Sequence, residues 1–224
     1  MKTWRLIRWA GVSMMLAGLI FAAIQPFHPL DVLESVTTTR WVLIQSLKTA
    51  MCAFGLFGLT GLYARQASDA GWLGLAGYLL FSLFYLITLP FAYAEAVLLP
   101  LLAAEAPTFV QGFLGIFNGS SVAMDLGALP ALYAIAGLGG YVLGGLVFGV
   151  ATVQAGVLPR WPAILLAGAA VSPLLLSGLL PHPLDRILAV PMGVALVWLG
   201  YALWSEHRAL TAGIVPGTPG ARLT

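Results

Sequence analysis

Charged residues are scarce in this chain. Only 8% of its 224 residues are charged, with 10 Lys or Arg and 8 Asp or Glu, whereas 60% are hydrophobic. A soluble domain carries about a quarter charged residues. These charges are too few to cover a water-facing globule, so the composition predicts a protein surrounded mostly by lipid.

Cysteine and the common catalytic motifs are also scarce or missing. Cys52 is the single cysteine, so no internal disulfide can form. The sequence contains no GxSxG, HExxH or CxxC motif and no phosphate-binding glycine loop. It also has no basic run of the kind that nucleic-acid binding needs. These absences favour a protein that is not an enzyme, and they predict no cofactor and no nucleic-acid partner.

Long apolar stretches dominate what is present. A helix crosses the bilayer core with about 20 apolar residues, and the stretches do not alternate as the strands of a membrane barrel do. We therefore predict an all-α, polytopic transmembrane bundle in a single domain over residues 1–212, with a disordered cytoplasmic tail at 213–224. The predicted six spans are 9–25, 41–64, 72–96, 128–155, 161–181 and 187–206.

Basic residues fall mainly on one side when these spans alternate. That side receives Lys2, Arg5, Arg8, Arg65, Arg160, Arg208 and Arg222. The other side receives Arg40 and Arg186, together with most of the acidic residues. Cytoplasmic loops carry an excess of Lys and Arg, so both termini are predicted to be cytoplasmic.

The odd-numbered spans share features that indicate an internal repeat. They begin at Trp9, Trp72 and Trp161, and the first and third end in the same His-Pro-Leu-Asp turn, at 28–31 and 182–185. This pattern predicts three helical hairpins in one orientation. Parallel repeats of this kind occur in transporters, although duplication of a hairpin without transport produces the same pattern.

Lys48 is the most informative single residue because it lies inside the second predicted span. Ionisable groups within the membrane usually face the bundle interior and pair, and Gln45 shares a helical face with Lys48. We predict Glu95 as the partner of Lys48, with Asp125 and Asp185 as alternatives. Three interpretations stay open: a structural ion pair, a lysine that extends to the surface, and a ligand contact. The candidate ligand-binding residues are Gln45, Lys48, Tyr85, Glu95, Asp125 and Asp185.

The two His-Pro-Leu-Asp turns admit two interpretations. His28 and His182, with the nearby aspartates, are weak candidates for a metal site. Helix capping is favoured instead, because Asp31 followed by Glu34 three residues later resembles a capping box. We therefore favour no metal.

Two further segments predict packing features. Gly140/Gly144 and Gly145/Gly149 form two GxxxG pairs, which allow another backbone to approach closely. We expect this seam to pack internally rather than against a second copy. Apolar residues at helical spacing also indicate a short helix over residues 108–117 at the outer surface. Two interpretations of this segment stay open: a cap over the bundle, and an ordinary interfacial loop.

The segment GLTGLYARQ at 58–66 and the segment 145–161, which ends in AGVLPRW, resemble small six-helix inner-membrane proteins of bacteria whose function is unassigned. The resemblance implies a bacterial inner-membrane location and brings no activity or site residues with it.

Together these features lead to two main functional hypotheses. The first is a membrane protein that binds a small molecule or lipid in a polar pocket in its outer half, with transport as an extension. The second is an accessory subunit of a larger membrane complex with protein partners. An intramembrane enzyme comes third. In each case membrane lipids surround the protein.

Overall fold

The computed structural model describes residues 2–120, 124–176, 179 and 184–211, with side chains described only from residue 5 to residue 205 within these ranges. The described chain is helical and contains no strand, which confirms the predicted all-helical class. The α-helices are α1 (Lys2–Ile24), α2 (Leu33–Val36), α3 (Thr39–Tyr93), α4 (Leu99–Leu102), α5 (Pro107–Asn118), α6 (Leu129–Ala134), α7 (Gly145–Ala155), α8 (Arg160–Leu176) and α9 (Val190–Thr211). Two π-helical segments, Ala94–Leu98 and Ile135–Gly144, continue α3 into α4 and α6 into α7.

Four of the described helical stretches are long and apolar enough to cross a membrane. They are Arg5–Phe27, Thr39–Leu102, Leu129–Ala155 and Leu184–Ser205, and a shorter apolar helix covers Arg160–Leu176. The predicted tail at 213–224 and His182 lie outside the described residues.

The longest stretch is a hairpin rather than one rod. Gly71 has φ 55° and ψ −154°, a conformation that a helix interior excludes and that glycine adopts readily. The residues before it (39–70, the first arm) and after it (72–93, the second arm) run antiparallel. The rings of Tyr63 and Tyr78 stack 4.6 Å apart near the turn, and Trp41 Nε1 donates a hydrogen bond to the Glu95 carbonyl at the far end.

Helices adjacent in sequence pack side by side, and α9 returns to α1, so the bundle closes into a ring. The closing contact depends on two glycine pairs. A Cβ on Gly11 would lie 2.8 Å from the Gly200 carbonyl oxygen, and one on Gly18 would lie 2.5 Å from that of Gly193. Side chains would force these backbones apart, so the pairs set the short distance between α1 and α9.

The predicted glycine seam packs within the chain. A Cβ on Gly140 would lie 2.8 Å from the Cα of Phe84, and Gly144 lies equally close to the backbone of the second arm at Phe81. Gly145 and Gly149 instead face α8, where a Cβ on Gly149 would lie 2.8 Å from the carbonyl oxygen of Ala163. The seam therefore joins α7 and its π-helical extension to two neighbours.

Aromatic side chains fill the interior of the ring. Phe21 of α1 stacks on Tyr141 with 6.1 Å between ring centroids, and Tyr141 meets Phe84 of the second arm edge-on at 5.3 Å. A second cluster lies beneath α5, where Trp41, Phe91 and Phe113 are buried. The short helix predicted over 108–117 is confirmed as α5, and it covers the end of the bundle at which Lys48 lies.

Candidate functional site

The site is centred on an ion pair between the two arms of α3. Lys48 Nζ on the first arm lies 2.6 Å from Glu95 Oε2 on the π-helical continuation of the second. The Glu95 side chain is fully buried and that of Lys48 is 17% exposed. The predicted partner of Lys48 is thus confirmed. A buried carboxylate depends on such a partner, because leaving one charge unpaired in a protein interior is costly.

Two further contacts hold Glu95 in place. Gln45 Nε2 donates to Glu95 Oε1 at 3.3 Å, and Trp41 Nε1 donates to the Glu95 backbone carbonyl at 2.8 Å. π-helical turns change the backbone hydrogen-bond pattern and often occur at functional sites. Here the π-helical segment carries a carbonyl whose partner is an indole from the other arm. The carboxylate is therefore held in a single orientation towards Lys48.

Phe117 of α5 lies over the lysine. Lys48 Nζ is 5.7 Å from the centroid of the Phe117 ring, within the range of a cation–π contact. Phe117 also packs edge-on against Tyr133 at 4.8 Å. The cap helix therefore places one aromatic ring above the ion pair and connects it to α6.

A second ion pair lies at the same end of the bundle. Arg186 Nη2 is 2.6 Å from Asp31 Oδ2, and only 3% of the Asp31 side chain is exposed. Asn118 Nδ2 donates to the Asp31 backbone carbonyl at 2.7 Å, so the end of α5 joins the same junction. The capping role predicted for Asp31 is wrong: Val32 is the N-cap of α2 and makes no side-chain cap bond. The carboxylate is directed to a distant arginine instead.

A cavity of about 300 Å³ lies inside the ring, next to the ion pair. α1, both arms of α3, the π-helical segment Ile135–Gly144 and α8 all contribute to its wall. Representative lining residues are Phe21, Met51, Phe84, Glu95, Tyr141 and Pro173. Most of the wall is aromatic or aliphatic, and the charged side chains of Lys48, Glu95 and Arg186 line it too.

A smaller space of about 190 Å³ lies at the same end, and both ion pairs line it. Lys48, Glu95, His28 and Arg186 line both cavities, which therefore share a charged boundary. Tyr141 lines the larger one, and its buried hydroxyl makes no hydrogen bond with any described residue. Buried polar groups in proteins are nearly always bonded, so this hydroxyl can serve a molecule inside the cavity.

The structure places the predicted ligand-binding residues in different surroundings. Lys48 and Glu95 line both cavities, and Asp185 lines the smaller one. Gln45 supports Glu95 through its hydrogen bond, while the Tyr85 ring packs in the core against Phe81 at 5.4 Å.

The remaining candidates lie elsewhere or make other contacts. Asp125 is exposed and accepts a hydrogen bond from the Gly127 amide in its own loop, at 2.8 Å. His28 Nδ1 lies 2.8 Å from the Pro29 carbonyl oxygen. Within the described part of the chain, no three His, Cys, Asp or Glu side chains form a cluster that could hold a metal ion.

Sequence reasoning missed Arg186, Tyr133, Tyr141 and Phe117 as site residues. Arg186 carried a usable signal, because it is one of two basic residues predicted on the acidic side of the membrane. The aromatic residues carried none, since nothing in their local sequence distinguishes them from other apolar positions.

No protein-family model, curated protein or solved structure matches this chain. The geometry and chemistry of the cavities are therefore the basis for assigning a function.

Proposed function

We propose that this protein is a bacterial inner-membrane protein that binds a small amphipathic molecule, or part of a lipid, in the central cavity. The observation that carries the proposal is a cavity of about 300 Å³ with a buried Lys48–Glu95 ion pair in its wall. Ligand sites are typically concave and mostly apolar, with a few fixed polar groups. The cavity has this character, and ionisable residues at membrane depth usually mark functional sites.

The proposal includes six membrane crossings with both termini in the cytoplasm. The crossings are α1, the two arms of α3, the stretch Leu129–Ala155, α8 and α9. The weakest is α8, whose 17 described residues span about 26 Å at 1.5 Å per residue, slightly less than the core thickness of about 30 Å. The basic loops support this orientation, and the charged boundary of the cavities then faces the outer side.

The wall chemistry indicates what kind of ligand fits. Lys48 and Arg186 each already contact a carboxylate, so the site is not built to neutralise a strongly charged anion. The aromatic wall suits an apolar or planar body, while the Tyr141 hydroxyl suits an acceptor oxygen. The volume is at the lower end for ligand pockets. An uncharged or zwitterionic amphiphile fits these conditions best.

Transport is an extension of the same proposal. The cavity lies between helices from both halves of the chain, as substrate sites do in transporters built from repeats. The predicted three-hairpin repeat would supply the moving units. An accessory subunit would offer a glycine seam to a helix of another protein. The seam of this chain packs against its own helices instead, which supports binding over a subunit role.

The test is to purify the protein gently from its own membrane and identify what remains bound by mass spectrometry. We expect a stoichiometric small molecule or lipid in the wild type, less of it in Lys48→Met, and normal amounts in Gln66→Met. Gln66 is the matched control because it is also fully buried and polar, but bonds Thr152 near the other end of the bundle, at 2.9 Å. Co-purification of other polypeptides alone would overturn the proposal in favour of a subunit.

A further inference from the structure

A groove lies near the N-terminal end of α1, whereas the central cavity lies near the C-terminal end of that helix. Its volume is about 360 Å³, and Arg5, Arg8, Trp9, Val12 and Trp204 line it. Arg8 precedes Ile24, which lines the central cavity, by 16 residues, or about 24 Å along the helix. The two sites are therefore separate, and nothing in the proposed function uses this one.

We propose that this groove binds the phosphate headgroup of an anionic phospholipid. Arg5 and Arg8 are three residues apart on α1, so both guanidinium groups lie on one face of the helix. Among the described residues, neither forms an ion pair with an acidic side chain. The other lining residues are aromatic or aliphatic, so the groove presents two positive charges against an uncharged wall. That charge matches a phosphate.

The indole ring of Trp204 contacts Arg8 from the neighbouring helix α9. The guanidinium carbon of Arg8 lies 5.7 Å from the centroid of the Trp204 ring on α9. A guanidinium carries five N–H donors, and a contact with one ring leaves most of them available. Those donors match the oxygens of a phosphate in a two-point contact. The contact to Trp204 therefore orients Arg8 without occupying the groups that would bind the headgroup.

Trp9 indicates that the groove lies at the depth of the lipid headgroups. Its side chain is 65% exposed beside the two arginines, and exposed tryptophans concentrate at the level of the lipid headgroups. Val12 lies one turn deeper along α1, where an acyl chain would begin. A lipid is therefore favoured over a free phosphate ion, because the groove continues from charged to apolar along the direction in which a lipid extends. Basic pockets between membrane helices recognise headgroups in this way.

The test compares an anionic and a zwitterionic phospholipid that differ only in the headgroup. Native mass spectrometry of the full chain in an uncharged detergent would measure binding of phosphatidylglycerol and phosphatidylcholine with identical acyl chains. We expect the wild type to prefer phosphatidylglycerol, and Arg5→Gln/Arg8→Gln to weaken that preference about tenfold. Arg8→Lys should fall between them, because it keeps the charge but loses the planar two-point contact.

Arg160 provides the matched control. It also lies over an indole, with its guanidinium carbon 4.8 Å from the Trp161 ring centroid, but that partner is its chain neighbour rather than a residue on another helix. Arg160→Gln should leave the lipid preference within a factor of about two of wild type. An equal loss in Arg160→Gln would overturn the proposal, because general positive charge would then explain the preference. An unchanged preference in the double variant would overturn it as well.

Two further measurements complete this experiment. Excess inorganic phosphate should not displace the bound phosphatidylglycerol; full displacement would show a phosphate-ion site and overturn the lipid assignment. The thermal midpoint of each variant is measured without added lipid. Arg5 is exposed and Arg8 half-buried, so we expect little change. If the double variant unfolds, Arg5→Gln alone is used instead, because Arg5 is exposed, and it should also weaken the preference because it removes one of the two positive charges.

Discussion

Lys48 and Glu95 lie on opposite arms of one helical hairpin, with 2.6 Å between Nζ and Oε2. The carboxylate is fully buried, whereas the lysine retains limited exposure and lies beneath the Phe117 ring. This pair fixes how the two arms align, and it also forms part of the cavity wall. A structural role and a binding role are therefore combined in the same two residues, and experiments must separate them.

Stability measurements on three variants separate these roles. Lys48→Met leaves a buried carboxylate without its partner, so the free energy of unfolding in detergent should fall by about 3–5 kcal/mol. Lys48→Met/Glu95→Gln should recover most of that loss, because the pair is then replaced by uncharged groups. Denaturant titration followed by circular dichroism provides the measurement. A double variant as unstable as the single one would show that the pair is not the source of the loss.

The Arg186–Asp31 pair should hold the polar end of the bundle together. Arg186→Gln leaves the buried Asp31 carboxylate without its strongest contact, and should cost about 1–3 kcal/mol. Hydrogen exchange should rise first in residues 25–36 and 184–189. Arg40→Gln is the control, because exposed Arg40 donates to a backbone carbonyl, that of Phe27 at 2.8 Å, and forms no ion pair with the residues that the structure describes. Equal exchange in both variants would contradict a special role for the ion pair.

Replacing Gly71 should destabilise the protein through backbone strain alone. A Cβ there meets nothing within 4 Å, but the positive φ is strained for any other residue. Gly71→Ala should therefore lower the free energy of unfolding by about 1–3 kcal/mol. Gly168→Ala also meets nothing within 4 Å, but lies in an exposed helical position of α8. It should instead stabilise by about 0.5–1 kcal/mol, and the same sign for both variants would contradict this account.

The sequence permitted prediction of the Lys48–Glu95 pair because few charges were available and helical spacing restricted which side chains share a face. A boundary between the second and third predicted spans was also foreseeable. The form of this boundary could not be foreseen, because a single glycine turns the chain there and helical structure continues on both sides of it. The spacing of seven residues in Gly11/Gly18 and again in Gly193/Gly200 was visible. It could not reveal which helix the glycines approach.

Partners distant in sequence could not be predicted for a different reason. Asp31 lies in a sequence pattern typical of a capping box, but its bond to Arg186 depends on α9 returning to α1. The π-helical segments likewise depend on tertiary contacts, such as the indole that binds the Glu95 carbonyl. The cavity is a property of the closed ring, and no local pattern of residues records it.

The six-crossing proposal has its own test. In a Cys52→Ala background, Ser68→Cys should react with a membrane-impermeant thiol reagent only after the cytoplasmic side is opened. Asp125→Cys should react in intact cells, because its exposed loop is predicted to be on the outer side. The wild-type protein is the control, because its one cysteine, Cys52, is buried and should not react. Reaction of both introduced cysteines from the same side would contradict the proposed topology.

The most direct test of the central claim is to fill the cavity without disturbing its ion pair. Gly137 lines the cavity, and a Cβ there meets nothing within 4 Å. Gly137→Phe should abolish stoichiometric binding of the co-purified molecule in native mass spectrometry while the fold is retained. Gly168→Phe, at an equally open position on the exposed face of α8, should bind as the wild type does. Full binding by a folded Gly137→Phe variant would contradict the assignment of this cavity as the ligand site.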